Sequence, residues 1–168
     1  MTETLSSALP DDIEALAPAV LREACDRRLK LVTAESCTGG LLASVLTDVD
    51  GFGHAFERGF VTYTDESKME LLDVPPGLLA RHGAVSPQVA EAMATGALIR
   101  SSGDVAMAVT GFAGRGAPED EPGLVFFALA RRGRPVWIQE AHFGDIGRGP
   151  VRLACLRHAL RMLRDNLS

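Results

Sequence analysis

The stretch Thr33-Ala34-Glu35-Ser36-Cys37-Thr38-Gly39-Gly40 gathers a carboxylate, hydroxyls, a thiol and two glycines into eight residues. Leu29-Lys30-Leu31-Val32 precedes it and Leu41-Leu42-Ala43-Ser44-Val45-Leu46 follows. That order predicts a buried strand over 29–34, a polar turn, and a helix starting near Thr38. First-turn amides of a helix are free donors, so a phosphate or carboxylate could sit on this turn. Ser36 is placed for nucleophilic attack, with nearby amides to hold an oxyanion. The alternative is structural: Ser36 or Thr38 caps the helix and does nothing more. Cys37 is a competing nucleophile if the helix start lowers its pKa, and otherwise a packing residue.

A serine needs a base. Four histidines are present, His54, His82, His142 and His158, and none stands in a recognisable catalytic spacing. Tyr63 and Lys68, in Val61-Thr62-Tyr63-Thr64-Asp65-Glu66-Ser67-Lys68, are the remaining candidates. Fifteen of the 17 basic residues are arginine, and Lys30 and Lys68 are the two lysines. Lysine can give up its proton where arginine cannot. Either Lys68 is such a base or its ammonium sits in water on a first helical turn.

Two later segments also follow strand-like runs. Thr110-Gly111-Phe112-Ala113-Gly114-Arg115-Gly116 offers a glycine-rich backbone and one arginine to a phosphate or ribose, although Glu119-Asp120-Glu121 works against direct phosphate contact. Phe143-Gly144-Asp145-Ile146-Gly147-Arg148-Gly149-Pro150-Val151-Arg152 carries Arg148 and Arg152, either of which could take a substrate anion.

The remaining elements must position these residues. Ile13, Leu16, Ala17, Val20, Leu21 and Ala24 recur at helical spacing after Pro10-Asp11-Asp12. Residues 1–9 are small and polar and predict a flexible N-terminus, leaving 10–168 as one domain. Residues 60–63 form a β-rich run, and 51–59 show no clear period. Residues 65–73 and 75–82 predict two short helices. Ser86-Pro87 is a strong helix start for the stripe Val89, Ala90, Met93, Ala94, Ala97 and Leu98. Val105–Thr110 predicts a buried strand; 123–130 and 135–143 predict paired strands; Leu153, Leu156, Leu160, Leu163 and Leu167 mark a final helix. The alternation predicts a mixed α/β sheet covered by helices.

Composition narrows the function classes. The 168 residues carry a net charge of −5, a poor basis for direct nucleic-acid binding. Three cysteines without a C-x-x-C pair disfavour a disulfide scaffold or structural zinc. No apolar run reaches membrane-spanning length, and the N-terminus lacks signal-peptide regions, so a reducing cytoplasm is the expected compartment.

Taken together, Thr33–Gly40, Arg58-Gly59-Phe60-Val61-Thr62-Tyr63 with Lys68, His82-Gly83-Ala84-Val85-Ser86 and Thr110–Gly114 resemble the CinA C-terminal domain family, which includes nicotinamide mononucleotide deamidases. The resemblance runs from about residue 11 to the C-terminus. It implies a three-layer α/β/α sandwich with a mixed, mainly parallel sheet, standing without the molybdopterin-binding-like domain of full-length CinA. It implies hydrolysis of a nucleotide carboxamide without metal or other cofactor, by Ser36, Lys68 and Tyr63. Thr38, Gly39, Gly40, Thr110, Gly111, Arg148 and, less directly, Arg115 fall on the substrate side. A homodimer is implied as well. Two segments depart from the family pattern: Arg115-Gly116-Ala117 stands where the glycine-rich loop commonly continues P-x-G-G, and the late loop is one residue longer. Two further readings stay open: an amidase for another substrate, and a non-catalytic nucleotide-binding module.

Overall fold

The computed structural model describes residues 9–167. The chain order is α1 (Asp11–Asp26), β1 (Leu31–Glu35), α2 (Leu41–Thr47), a single 3₁₀ turn (Gly53–Ala55), β2 (Phe56–Val61), α3 (Asp65–Leu72), α4 (Pro76–His82), α5 (Pro87–Ile99), β3 (Val105–Gly111), β4 (Leu124–Arg131), β5 (Trp137–His142) and α6 (Arg148–Asn166). The flexible N-terminus expected over 1–9 lies almost wholly outside the described residues. Its last member, Leu9, packs against the core.

The five strands form one sheet in the order β2-β1-β3-β4-β5. β1 pairs in parallel with β2 and with β3, while β3–β4 and β4–β5 are antiparallel. Four strands therefore run one way and β4 alone runs against them. This is the mixed, mainly parallel sheet that the family resemblance implies.

Strand alternation splits the core in two. Leu31, Met107, Val109, Phe127 and Leu129 face α1, α2 and α6. Val32, Ala34, Ala106, Ala108 and Ala128 face α3, α4 and α5. The layers are α/β/α. Small strand residues on the second face let α5 lie close to the sheet. Gly96 of α5 lets it lie equally close to α3: a Cβ there would collide with the Leu72 carbonyl.

Every residue of β1 is buried, as expected for a strand covered on both faces and both edges. The chain leaves β1 through α2 on one face to reach β2, then returns through α3–α5 on the other face to β3 beyond it. Connections thus diverge at β1, and the carboxyl ends of three parallel strands meet at one edge. In open α/β sheets that edge is where ligands bind.

Two expectations need correction. The helix after the polar turn begins at Leu41, not near Thr38, because Gly39 and Gly40 take left-handed φ of 62° and 90°. The unassigned stretch 51–59 supplies most of β2, whose half-exposed edge position leaves no clean alternation to read.

Candidate active site

Ser36, Thr62-Tyr63 and Thr110 lie at or just beyond the ends of β1, β2 and β3. Backbone bonds past the strands hold that register: Ser36 N–H donates to Val109 O at 2.9 Å, and Thr62 N–H donates to Glu35 O at 2.8 Å. A cleft of about 280 Å³ opens there, lined by Ser36, Lys68, Val85, Thr110, Phe112 and Arg148 among others. That is near the lower end for small-ligand sites, about 300–1,000 Å³.

Lys68 is fully buried. It stands on the first turn of α3, whose start is capped by Thr64 Oγ1 accepting from Ser67 N. The ammonium in water considered from sequence is therefore ruled out by packing. Nζ lies 2.9 Å from Thr62 O, 3.2 Å from Tyr63 O and 3.3 Å from Ser36 Oγ. Burial pushes its pKa below the usual lysine value, against the smaller opposing pull of Asp65 and Cys37.

A neutral amine carries two hydrogens and one lone pair. The two carbonyls accept only, so they take the two hydrogens. In that neutral form the lone pair would face the remaining neighbour, the Ser36 hydroxyl, whereas the charged amine donates to Ser36 Oγ as well. Two backbone acceptors thereby define which way the amine faces.

Tyr63, expected to assist the base, meets Lys68 through its main chain. Its carbonyl binds Lys68, but its ring is exposed and its hydroxyl accepts from Arg148 Nη2 at 3.2 Å. Tyr63 and Arg148 together form one rim of the cleft. Arg115 also lines the cleft, from the segment after β3, and is paired with Asp145 at 2.6 Å. Thr110 is buried and ties the end of β3 to Ala84 O at 2.8 Å. Gly111 lines the cleft beside it.

Thr38, Gly39 and Gly40 do not line the cleft. The Thr38 carbonyl accepts from Arg152 Nη2 at 2.7 Å. A Cβ on Gly39 would touch the same guanidinium, so the turn rests on Arg152 from behind.

The α2 amides expected to be open to an anion are already taken. The buried Glu35 carboxylate accepts from Gly40 N at 3.1 Å, Leu42 N at 3.0 Å and Ala43 N at 2.8 Å. Gly39 N–H donates to Ser36 O. Neither Ser36 nor Thr38 caps the helix. Cys37 lines the cleft yet is nearly buried, and its thiol pairs with Cys155 of α6. That pairing lowers the Cys37 pKa and raises that of Cys155.

Comparison with known proteins places this arrangement. The model of the CinA C-terminal domain matches residues 13–167. The chain belongs to the CinA C-terminal domain family. A "CinA-like protein" of Akkermansia muciniphila is 52% identical over 121 residues, 71% of this chain and 29% of that protein. A relative in Symbiobacterium thermophilum is 50% identical and is matched over 39% of its length, so the chain spans well under half of these family members. The "Nicotinamide-nucleotide amidohydrolase PncC" of Escherichia coli K12 is matched over 84% of its length and 82% of this chain, at 44% identity. The crystal structure of competence/damage inducible protein CihA from Agrobacterium tumefaciens superposes with a TM-score of 0.89 at 46% identity, covering 92% of this chain and 95% of that one. Among the described residues no helix is long and apolar enough to cross a membrane.

Proposed function

We propose that this protein hydrolyses the carboxamide of nicotinamide mononucleotide, releasing ammonia and nicotinate mononucleotide. The observation that carries the reading is the Lys68 amine, buried and held by two carbonyls 3.3 Å from Ser36 Oγ. The name of the similar Escherichia coli protein supplies the substrate.

Ser36 Oγ attacks the carboxamide carbon while its proton passes to Lys68 Nζ. The Cys37 amide, on the cleft side of those occupied by Glu35, receives the oxyanion. As the C–N bond breaks, Lys68 returns the proton to the leaving nitrogen, giving ammonia and a Ser36 ester. Water then gives its proton to Lys68 and attacks the ester. The acid departs and Ser36 recovers its proton. Arg148 binds the phosphate, with Tyr63 holding the guanidinium at the rim. Arg115 supports the same wall through Asp145. In this reading the enzyme serves pyridine nucleotide salvage in the cytoplasm as a homodimer.

The test is ammonia release from nicotinamide mononucleotide, with nicotinamide and NAD as comparison substrates. Preference for the mononucleotide is expected. Comparable release from all three would overturn the assigned substrate. Undiminished release in Ser36→Ala and Lys68→Ala would overturn the mechanism.

A further inference from the structure

We infer that Glu35 is the positioning residue for Ser36, fixing the nucleophile turn through its side chain and the lysine cradle through its backbone. The inference rests on Ser36 being the nucleophile. Glu35 is fully buried at the last position of β1, with β2 and β3 on either side. Its two carboxylate oxygens take three amides, those of Gly40, Leu42 and Ala43. Its carbonyl takes the Thr62 amide, and Thr62 O is the shortest acceptor of Lys68 Nζ. One residue therefore anchors both the segment that carries Ser36 and the strand end whose carbonyl holds Lys68, without itself standing among the cleft-lining residues.

The chemistry requires this side chain in particular. A chain turning through two left-handed glycines has little intrinsic preference for one conformation. Residues 36–40 bridge the strand and the helix, and Ser36 Oγ moves with them. A carboxylate accepts at both oxygens, so it can hold three donors at once. A carboxamide of the same shape would turn an NH₂ group toward at least one amide donor. The turn would then shift to relieve the clash, and Ser36 would leave its line with Lys68. Misplacement of this order lowers the rate of attack while leaving substrate contacts on Arg148 and the 110–116 loop in place.

The experiment compares Glu35→Gln and Glu35→Asp with wild type, at a temperature where each is folded by circular dichroism. Two readouts are taken. One is kcat and KM for ammonia release from nicotinamide mononucleotide. The other is the rate at which phenylmethanesulfonyl fluoride sulfonylates Ser36, read by intact mass; fluoride leaves and the serine proton passes to Lys68. In Glu35→Gln, kcat and the sulfonylation rate are expected to fall together by about 10–100-fold, with KM within about threefold. A role confined to fold stability would lower the melting temperature and leave both rates per folded molecule unchanged, which overturns the inference. A raised KM at unchanged kcat also overturns it, since Glu35 would then act on substrate binding.

If the wild-type protein is sulfonylated but releases no ammonia, the proposed substrate fails while the positioning role is still decided by the labelling rates. If Ser36 is not labelled and no ammonia is released, both fail. Should neither variant fold, hydrogen exchange on the wild type decides. The Gly40, Leu42 and Ala43 amides are expected to be strongly protected; exchange as fast as ordinary first-turn amides overturns the inference.

Discussion

Lys68 Nζ stands 3.3 Å from Ser36 Oγ across 32 residues of sequence, and both carbonyls that orient it come from the end of β2. Ser36 follows β1 and Lys68 stands on α3, oriented by carbonyls just past the neighbouring parallel strand β2, so the register of β1 and β2 helps bring the two side chains together. Removing either partner removes the same step. Ser36→Ala and Lys68→Met are each expected to lower kcat by on the order of 10³-fold or more, and the double variant by little beyond the single ones. Steady-state ammonia release from all three checks this. Losses that multiply would mean that the two act independently.

The pH dependence follows from the burial of Lys68. Its pKa lies below the ordinary 10.5, so the free amine becomes available at lower pH than for a solvated lysine. The profile of kcat/KM should rise with pH and level off, with its midpoint below 10.5. A profile still rising through pH 10.5 contradicts the assignment of Lys68 as base.

Stability carries the same sign. The native pKa is lowered, so the folded protein binds this proton more weakly than the unfolded chain. Below the native pKa the full penalty applies; between the native value and 10.5 stability climbs as pH rises. Each unit of depression corresponds to about 1.4 kcal/mol. Lys68→Met is therefore expected to be more stable than wild type near neutral pH, with the gap closing toward pH 10. Urea titrations of both proteins at several pH values measure it.

Arg148 and Arg115 should separate kinetically. Arg148 is bonded to a neutral phenol, so its charge is free to meet a phosphate. Arg115 is tied to Asp145 and largely exposed, a pairing worth about 0–1 kcal/mol. Arg148→Ala should raise KM for the mononucleotide about 10–100-fold, the scale of a lost charge-assisted contact. Arg115→Ala should change it only a few-fold. Equal effects would place the phosphate between the two.

Gly96 gives a test that is independent of chemistry. A methyl group there meets the Leu72 carbonyl, a backbone atom that cannot swing aside. Gly96→Ala is expected to cost about 1–3 kcal/mol by overpacking, seen as a lower melting temperature. Unchanged stability would show that α3 and α5 can separate freely.

Most of the fold was legible because its strands and helices carry strong periods. Val89, Ala90, Met93, Ala94 and Ala97 announce α5, and the Ser86 side chain does cap it, accepting from Val89 N. β2 was only partly legible: an edge strand with Glu57, Arg58 and Gly59 shows neither alternation nor a buried run. Ser36 and Lys68 stand out because serine needs a base and lysine is scarce, but the residues alone leave the structural reading open and only the family resemblance favours the chemical one. The setting of Lys68 was not readable, since its acceptors are main-chain carbonyls and those carry no residue signature. Glu35 was missed for a related reason. A carboxylate ending a buried strand, five residues ahead of the N-cap Gly40, is a cap from outside the usual capping positions. Its one legible signal was an acidic residue immediately after Leu31-Val32-Thr33-Ala34, where burial demands a partner.

The parallel register of β1, β2 and β3 has a last consequence. No single segment of the chain holds a working fraction of the site: Ser36, the Thr62 carbonyl and Thr110 each sit at the tip of a different strand. On the proposed reading, turnover is therefore a gauge of the intact sheet. In a denaturant titration the loss of ammonia release should coincide with the loss of sheet signal, and fragments or partly folded chains should register as silent rather than slow.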